Sequence, residues 1–75
     1  MYVFGKILNI VTATTETPFQ VTISDAAGSQ TFDADATTEV FVAGVKRSLK
    51  HLAIGMVCLG SSPKGSVLAA VLVAA

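Results

Sequence analysis

Seventy-five residues with a formal net charge of zero, one cysteine and one histidine set narrow bounds on this chain. One core fits and two do not, so a single domain over residues 1–75 is expected, burying roughly 60 % of its unfolded surface. Cys58 alone forms no intramolecular disulfide, and one Cys with one His51 excludes a Cys/His zinc cage.

Stability must then come from packing, within the monomer or between copies. Apolar residues are 52 % of the chain even before its six glycines are counted, where about 45–50 % with glycine included is usual. Charged residues are 13 %, half the common share of about 25 %. A small domain has more surface to cover with polar groups, so this excess predicts apolar surface buried against other copies or a partner. The longest apolar run, Val67 to Ala75, is nine residues, far short of the ~18–20 a membrane helix needs. The start Met1-Tyr2-Val3-Phe4-Gly5-Lys6 lacks the pattern of a secretory signal, which points to a cytoplasmic or virion-associated protein, or a piece excised from a larger one.

The apolar pattern has period two almost throughout. Tyr2 to Val11 predicts a long first strand, with Gly5 at a bulge or sharp bend. Thr12 to Pro18 is a connection. Phe19, Val21 and Ile23 alternate with Gln20, Thr22 and Ser24 as in a half-buried strand. Asp25-Ala26-Ala27-Gly28 reads as a hairpin turn, Asp first and Gly last, and Ser29 to Asp33 returns with Phe32 facing inward.

Residues 33–38 form the next turn and Glu39 to Ala43 the fourth strand. Gly44 allows a reversal, with Val45 and Lys46 leaving it. One helical turn is predicted near residues 48–53, where Ser48 can cap and Leu49 and Leu52 share a face. Met56 to Gly60 is a fifth strand, Ser61 to Gly65 a hairpin loop around Pro63, and Ser66 to Ala74 a long last strand. Short strands joined by turns predict an all-β fold: a small closed or partly open barrel, OB-like or SH3-like, of five to six strands.

The landmarks Gly5-Lys6-Ile7, Ser24 through Gly28, Thr38-Glu39-Val40, Ser48 through Met56 and Leu68 through Val73 span nearly the whole chain. In that order they resemble a family of short bacterial OB-like barrel domains of unassigned function. The resemblance implies a barrel and carries no activity, since each landmark is a folding feature.

Little chemistry is on offer. His51 is the sole histidine and so the sole candidate general base, and it lies among Lys46, Arg47 and Lys50 on a basic turn that reads as solvated. Cys58, between Val57 and Leu59, suits a small buried hydrophobe. Asp33, Asp35 and Glu39 are close in sequence but lack a calcium-loop pattern. The stretch Gly60 to Gly65 lacks the phosphate-loop spacing. No metal or cofactor is implied, and the chain is expected not to be an enzyme.

All five acids fall between residues 16 and 39, and every base except Lys6 falls after residue 45. Such segregation would give opposite contact patches, an acidic one at Asp33, Asp35 and Glu39 and a basic one at Lys46, Arg47, Lys50 and His51. The apolar tail Val71-Leu72-Val73 is a further docking candidate. The expected function is a non-enzymatic assembly module, packing against copies of itself or a larger scaffold as a virion decoration or filament subunit does. The alternative is a ligand-, protein- or single-stranded nucleic-acid-binding OB-like domain. Against nucleic acid stand the zero net charge and the expectation that most of Tyr2, Phe4, Phe19, Phe32 and Phe41 are spent on the core.

Overall fold

A computed structural model describes residues 2–63 and 66–74. Seven strands form one mixed sheet: β1 (Tyr2–Val11), β2 (Phe19–Asp25), β3 (Gly28–Ala34), β4 (Glu39–Val42), β5 (Val45–Arg47), β6 (Val57–Ser61) and β7 (Ala70–Val73). Their order across the sheet is β3-β2-β1-β6-β7-β4-β5. All neighbours are antiparallel except β4 and β7, which run parallel.

The chain is therefore all-β, but the barrel of five or six strands is replaced by a seven-stranded sheet that does not close. The reason lies at β7. One of its edges takes β6, and the other, where a closing strand would lie, takes β4 and then β5. Strand β3 reaches across to the chain ahead of β7 only through an isolated parallel bridge, Asp33 to Val67. Two backbone hydrogen bonds make that bridge: Asp33 N–H to the Ser66 carbonyl at 2.9 Å and Leu68 N–H to the Asp33 carbonyl at 2.8 Å.

The same bridge splits the predicted long last strand. Residues 66–68 turn toward β3, and only Ala70–Val73 runs beside β6 and β4. The reversal at Gly44 opens a hairpin rather than an exit, because Ala43 and Gly44 both take positive φ, at 53° and 81°. That is the two-residue geometry matched to strand twist. The helical turn is present as one 3₁₀ turn, Leu49–His51. Ser48 precedes it without the expected side-chain cap; its hydroxyl is hydrogen-bonded with His51 Nδ1 instead, at 3.2 Å.

The β2–β3 hairpin follows its pattern. Asp25 pairs with Gly28, and Asp25 Oδ1 accepts the Ala27 N–H at 2.8 Å, fixing the turn by its own side chain. In β1 the bulge falls at Leu8, between the pairs Ile7–Ile23 and Asn9–Thr22, and not at Gly5. Gly5 serves a different need: a Cβ there would stand 1.4 Å from the Ser24 carbonyl oxygen. The absent side chain lets β1 and the end of β2 meet.

One face of the curled sheet is the core. Val3 and Ile7 from β1, Val21 and Ile23 from β2, Phe32 from β3, Val40 from β4, Cys58 from β6 and Val71 and Val73 from β7 enclose Leu52 and Leu68. Gly60 makes room in the middle, its missing Cβ lying 3.1 Å from Leu68 Cδ2 and 3.2 Å from Ile23 Cδ1. Ser62 is the one buried polar side chain among the described residues, and it donates to the Val67 carbonyl at 3.0 Å. Among the aromatics, Phe32 alone is fully buried; Phe19 and Phe41 are half-buried, and Tyr2 and Phe4 point out. The assignment of most aromatics to the core is corrected accordingly. Strand alternation leaves positions 2 and 4 on the opposite side from buried Val3.

Two stability changes follow from the backbone. Gly5→Ala must push β1 from β2, costing about 3 kcal/mol as a severe overpacking; the midpoint of thermal unfolding by circular dichroism should fall by roughly 12–24 °C. An unchanged midpoint would mean that the strands do not approach as described. Ala43→Asn relieves a left-handed residue and should raise the midpoint by roughly 4–8 °C, about 1 kcal/mol.

Candidate functional site

The outer face of the sheet is divided. On β2 and β3 it is polar and self-satisfied: Thr22 and Thr31 share a hydroxyl hydrogen bond of 2.8 Å, and Gln20 Nε2 donates to Asp33 Oδ1 at 3.1 Å. Both are directly paired residues, so polar partners face each other across the strands. Across β1, β6, β7 and β4 the same face is mainly apolar, with Lys6, Ser61 and Glu39 at its margins.

The register sets that second half. Phe4 pairs with Leu59, Leu59 with Leu72 and Leu72 with Phe41, and Lys46 of β5 ends the row. Paired residues share a face, so one straight row reads Phe4-Leu59-Leu72-Phe41-Lys46. The next row is Tyr2-Ser61-Ala70-Glu39, and on the other side Lys6 pairs with Val57. Tyr2 is 76 % exposed, Phe4 67 %, Leu72 47 % and Val57 42 %. The two aromatic rings alone leave on the order of 300 Å² in water, taking about 200 Å² for each side chain. Isolated exposed hydrophobics are ordinary, but a contiguous stripe of this kind marks a contact surface.

A second feature is an open cleft of about 670 Å³ between the β3–β4 turn and the segment following β5. Lys46, Arg47, Lys50 and His51 all line it, together with Ser48 and Asp35. The sequence-contiguous basic stretch is thus gathered on one wall, and Asp35 joins it from the acidic segment. Asp33 and Glu39 lie elsewhere: Asp33 on the outer face of β3 beside Gln20, and Glu39 at the start of β4 in the Tyr2 row. The apolar tail is β7 itself, with Val71 and Val73 in the core and Leu72 on the outer stripe.

Asp35 organises its turn. Its Oδ1 accepts the Thr37 hydroxyl at 2.5 Å and the Thr37 N–H at 2.8 Å, and its N–H donates to Thr38 Oγ1 at 3.1 Å. The Thr37 hydroxyl, then the Thr37 and Thr38 backbone, hold the carboxyl below its ordinary value of 3.8. Thr38 in turn donates to the Leu68 carbonyl at 2.6 Å, and Glu39 N–H reaches the Ala69 carbonyl at 3.0 Å. These bonds steer β4 alongside β7 and so place Phe41 in the stripe.

The cleft holds a serine, a histidine and an aspartate, the residue types of a nucleophilic triad. Their connections do not make one. Ser48 meets His51 Nδ1 within a single 3₁₀ turn, and the Asp35 oxygen is engaged by Thr37. Cys58 is buried, and burial raises its thiol pKa, the opposite of activation. Among the described residues no group of three or more His, Cys, Asp and Glu side chains could hold a metal ion. No helix is long and apolar enough to cross a membrane among the described residues.

No protein-family model, curated protein or solved structure matches this chain. The stripe escaped sequence reading because its members come from four strands far apart in the chain, each apolar among apolar neighbours. The basic wall of the cleft did not, being one continuous run.

Asp35 gives the turn a pH dependence whose sign is fixed. A carboxyl with its folded pKa depressed stabilises the fold above its unfolded value, and loses that contribution as pH falls through the folded one. Between pH 4 and 2, thermal midpoints should decline less steeply in Thr37→Val than in the parent chain, because the strongest bond to the carboxylate is gone. Parallel declines would show that the Thr37 hydroxyl does not act on Asp35.

Proposed function

We propose that this chain is a non-enzymatic assembly module that packs through the outer face of β1, β6, β7 and β4 against copies of itself. The observation that carries the reading is the in-register row Phe4-Leu59-Leu72-Phe41. Its polar counterpart on β2 and β3 argues that the stripe is not merely the consequence of an apolar composition. The β4–β5 end of the stripe carries both charges, Lys46 after Phe41 in the row and Glu39 on β4 in the neighbouring row. Burying the exposed parts of Tyr2, Phe4, Leu72 and Val57 at about 25 cal/mol per Å² supplies the gross driving force for such a contact.

A second reading has one observation in its favour. The cleft that gathers Lys46, Arg47, Lys50 and His51 lies at the Lys46 end of a stripe with exposed rings, an arrangement compatible with a single-stranded nucleic acid. The OB-like resemblance read from the sequence belongs with this reading. Zero net charge and Asp35 in the cleft weigh against a polyanion.

Light scattering after size exclusion decides the main reading. At increasing protein concentration the mass should move from 7.7 kDa toward a multiple of it, and Leu72→Asp, which puts a charge in the middle of the stripe, should weaken association by at least roughly 30-fold, about 2 kcal/mol. A chain that stays monomeric at millimolar concentration would refute assembly. Tight, salt-dependent binding of an oligonucleotide by that monomer would then establish the second reading.

A further inference from the structure

The stripe is palindromic. Read from β1 to β4 it runs aromatic, leucine, leucine, aromatic, with Phe4 and Phe41 at its ends and Leu59 and Leu72 at its centre. A pattern that reads the same both ways lets a two-fold along the strands set aromatic over aromatic and leucine over leucine, so the patch complements itself in size and polarity. Resting on the assembly reading above, we infer that two copies meet face to face about a two-fold axis that runs along the strands, between β6 and β7. Phe4 of each copy then lies over Phe41 of the other, and Leu59 over Leu72.

The flanking residues choose this axis over its rival. Two in-plane two-folds keep the rows of the copies aligned, one along the strands and one along the row. An axis along the row sets each residue of the row on its own copy, so Lys46 meets Lys46 and the two ammonium groups repel. An axis along the strands reverses the row and carries each Lys46 away from its copy, past Phe4. In the neighbouring row the same rotation brings Tyr2 over Glu39, where the phenol can donate to the carboxylate. It also brings Ser61 over Ala70, two small residues that let the sheets approach.

The sheet edges are partly guarded. Strand β5 is three residues long and carries Lys46 and Arg47, which blunts it against strand addition, and β3 is bonded at Asp33 to residues 66 and 68. A two-fold on the face closes at the dimer without propagating.

The test is a set of three variants read by sedimentation equilibrium: Phe4→Glu, Phe41→Lys and the two combined. Within one chain positions 4 and 41 are three strand spacings apart, about 14 Å, so the new charges do not pair internally. Across the proposed axis they face each other twice. Each single variant should weaken dimerisation at least roughly 10-fold, and the combined variant should bind more tightly than either single one. A combined variant weaker than both singles, with the parent chain dimeric, overturns this axis and leaves the assembly reading standing. A parent chain that is monomeric overturns both.

Phe41 is half-buried, so a second measurement guards against misfolding. Phe4→Cys and Phe41→Cys proteins, in which the half-buried site receives a small uncharged side chain, are mixed and treated with a short bismaleimide, the native Cys58 being buried. Because positions 4 and 41 are about 14 Å apart along the row, cross-linked dimer should form in the mixture and not in either protein alone. Cross-linking within each protein alone, 4 to 4 and 41 to 41, would place the axis along the row and overturn the inference.

Discussion

Two backbone hydrogen bonds at Asp33 hold the rest of the molecule in order. They tie β3, the first strand of the sheet in spatial order, to the segment entering β7, the fifth. A sheet held in this way has to curl, and curling gives it an inside. Ile7, Ile23, Phe32 and Leu68 fill that inside, with Gly60 and Gly5 placed where a Cβ would collide with the opposite wall or the neighbouring strand. Because the tie is one bridge and not a ladder, β7 keeps a free edge farther along, and β4 occupies it. The apolar stripe exists only because of that second pairing: without β4 beside β7, Phe41 and Lys46 would not continue the row begun by Phe4.

Much of the fold was legible in the sequence where neighbours in space are neighbours in the chain. The hairpin from Phe19 to Ala34 has alternating residues and a turn whose Asp25 side chain closes on Ala27, so pattern and chemistry agree. The basic wall of the cleft was legible for the same reason. Strand β5 was not, because its residues Val45, Lys46 and Arg47 are exposed on both faces and show no alternation. Nor was the division of residues 66–73 between two partners. An apolar segment states that it is extended and buried; it does not state which strands it lies against. The inward or outward sense of Phe4 and Phe41 depends on register, and one aromatic in an apolar strand looks like another until the strand's partners are fixed.

The composition takes on a physical meaning in this light. Few charges and many apolar residues predicted surface that needs a cover, and the fold gathers part of it, Tyr2, Phe4, Val57 and Leu72, in adjoining rows, while Leu8, Val11, Val45 and Ile54 are exposed outside them. Threonine, glutamine and aspartate occupy outward positions of β2 and β3, where Thr22 finds Thr31 and Gln20 finds Asp33 across the strands. Tyr2, Phe4, Leu59, Leu72 and Phe41 occupy those of the other half. A sheet with one wetted half and one dry half on the same face has a built-in limit to its contacts. The dry half can be buried without disturbing the hydrogen-bonded one.

The separation of acids and bases along the chain suggested a dipole and, from it, head-to-tail contacts. Folding undoes part of that separation. Asp35 is carried into the cleft with Lys46, Arg47, Lys50 and His51, Asp33 is taken up by Gln20, and Glu39 is set at the rim of the stripe. A dipole drives polar ordering of copies, and an open chain of them; a palindromic apolar row drives a closed pair. At physiological salt, exposed charges more than about 8 Å apart are largely screened, whereas burial of the stripe is not. In the proposed pair the apolar row sets the geometry, and Lys46 at its β5 end distinguishes the two row-aligned arrangements.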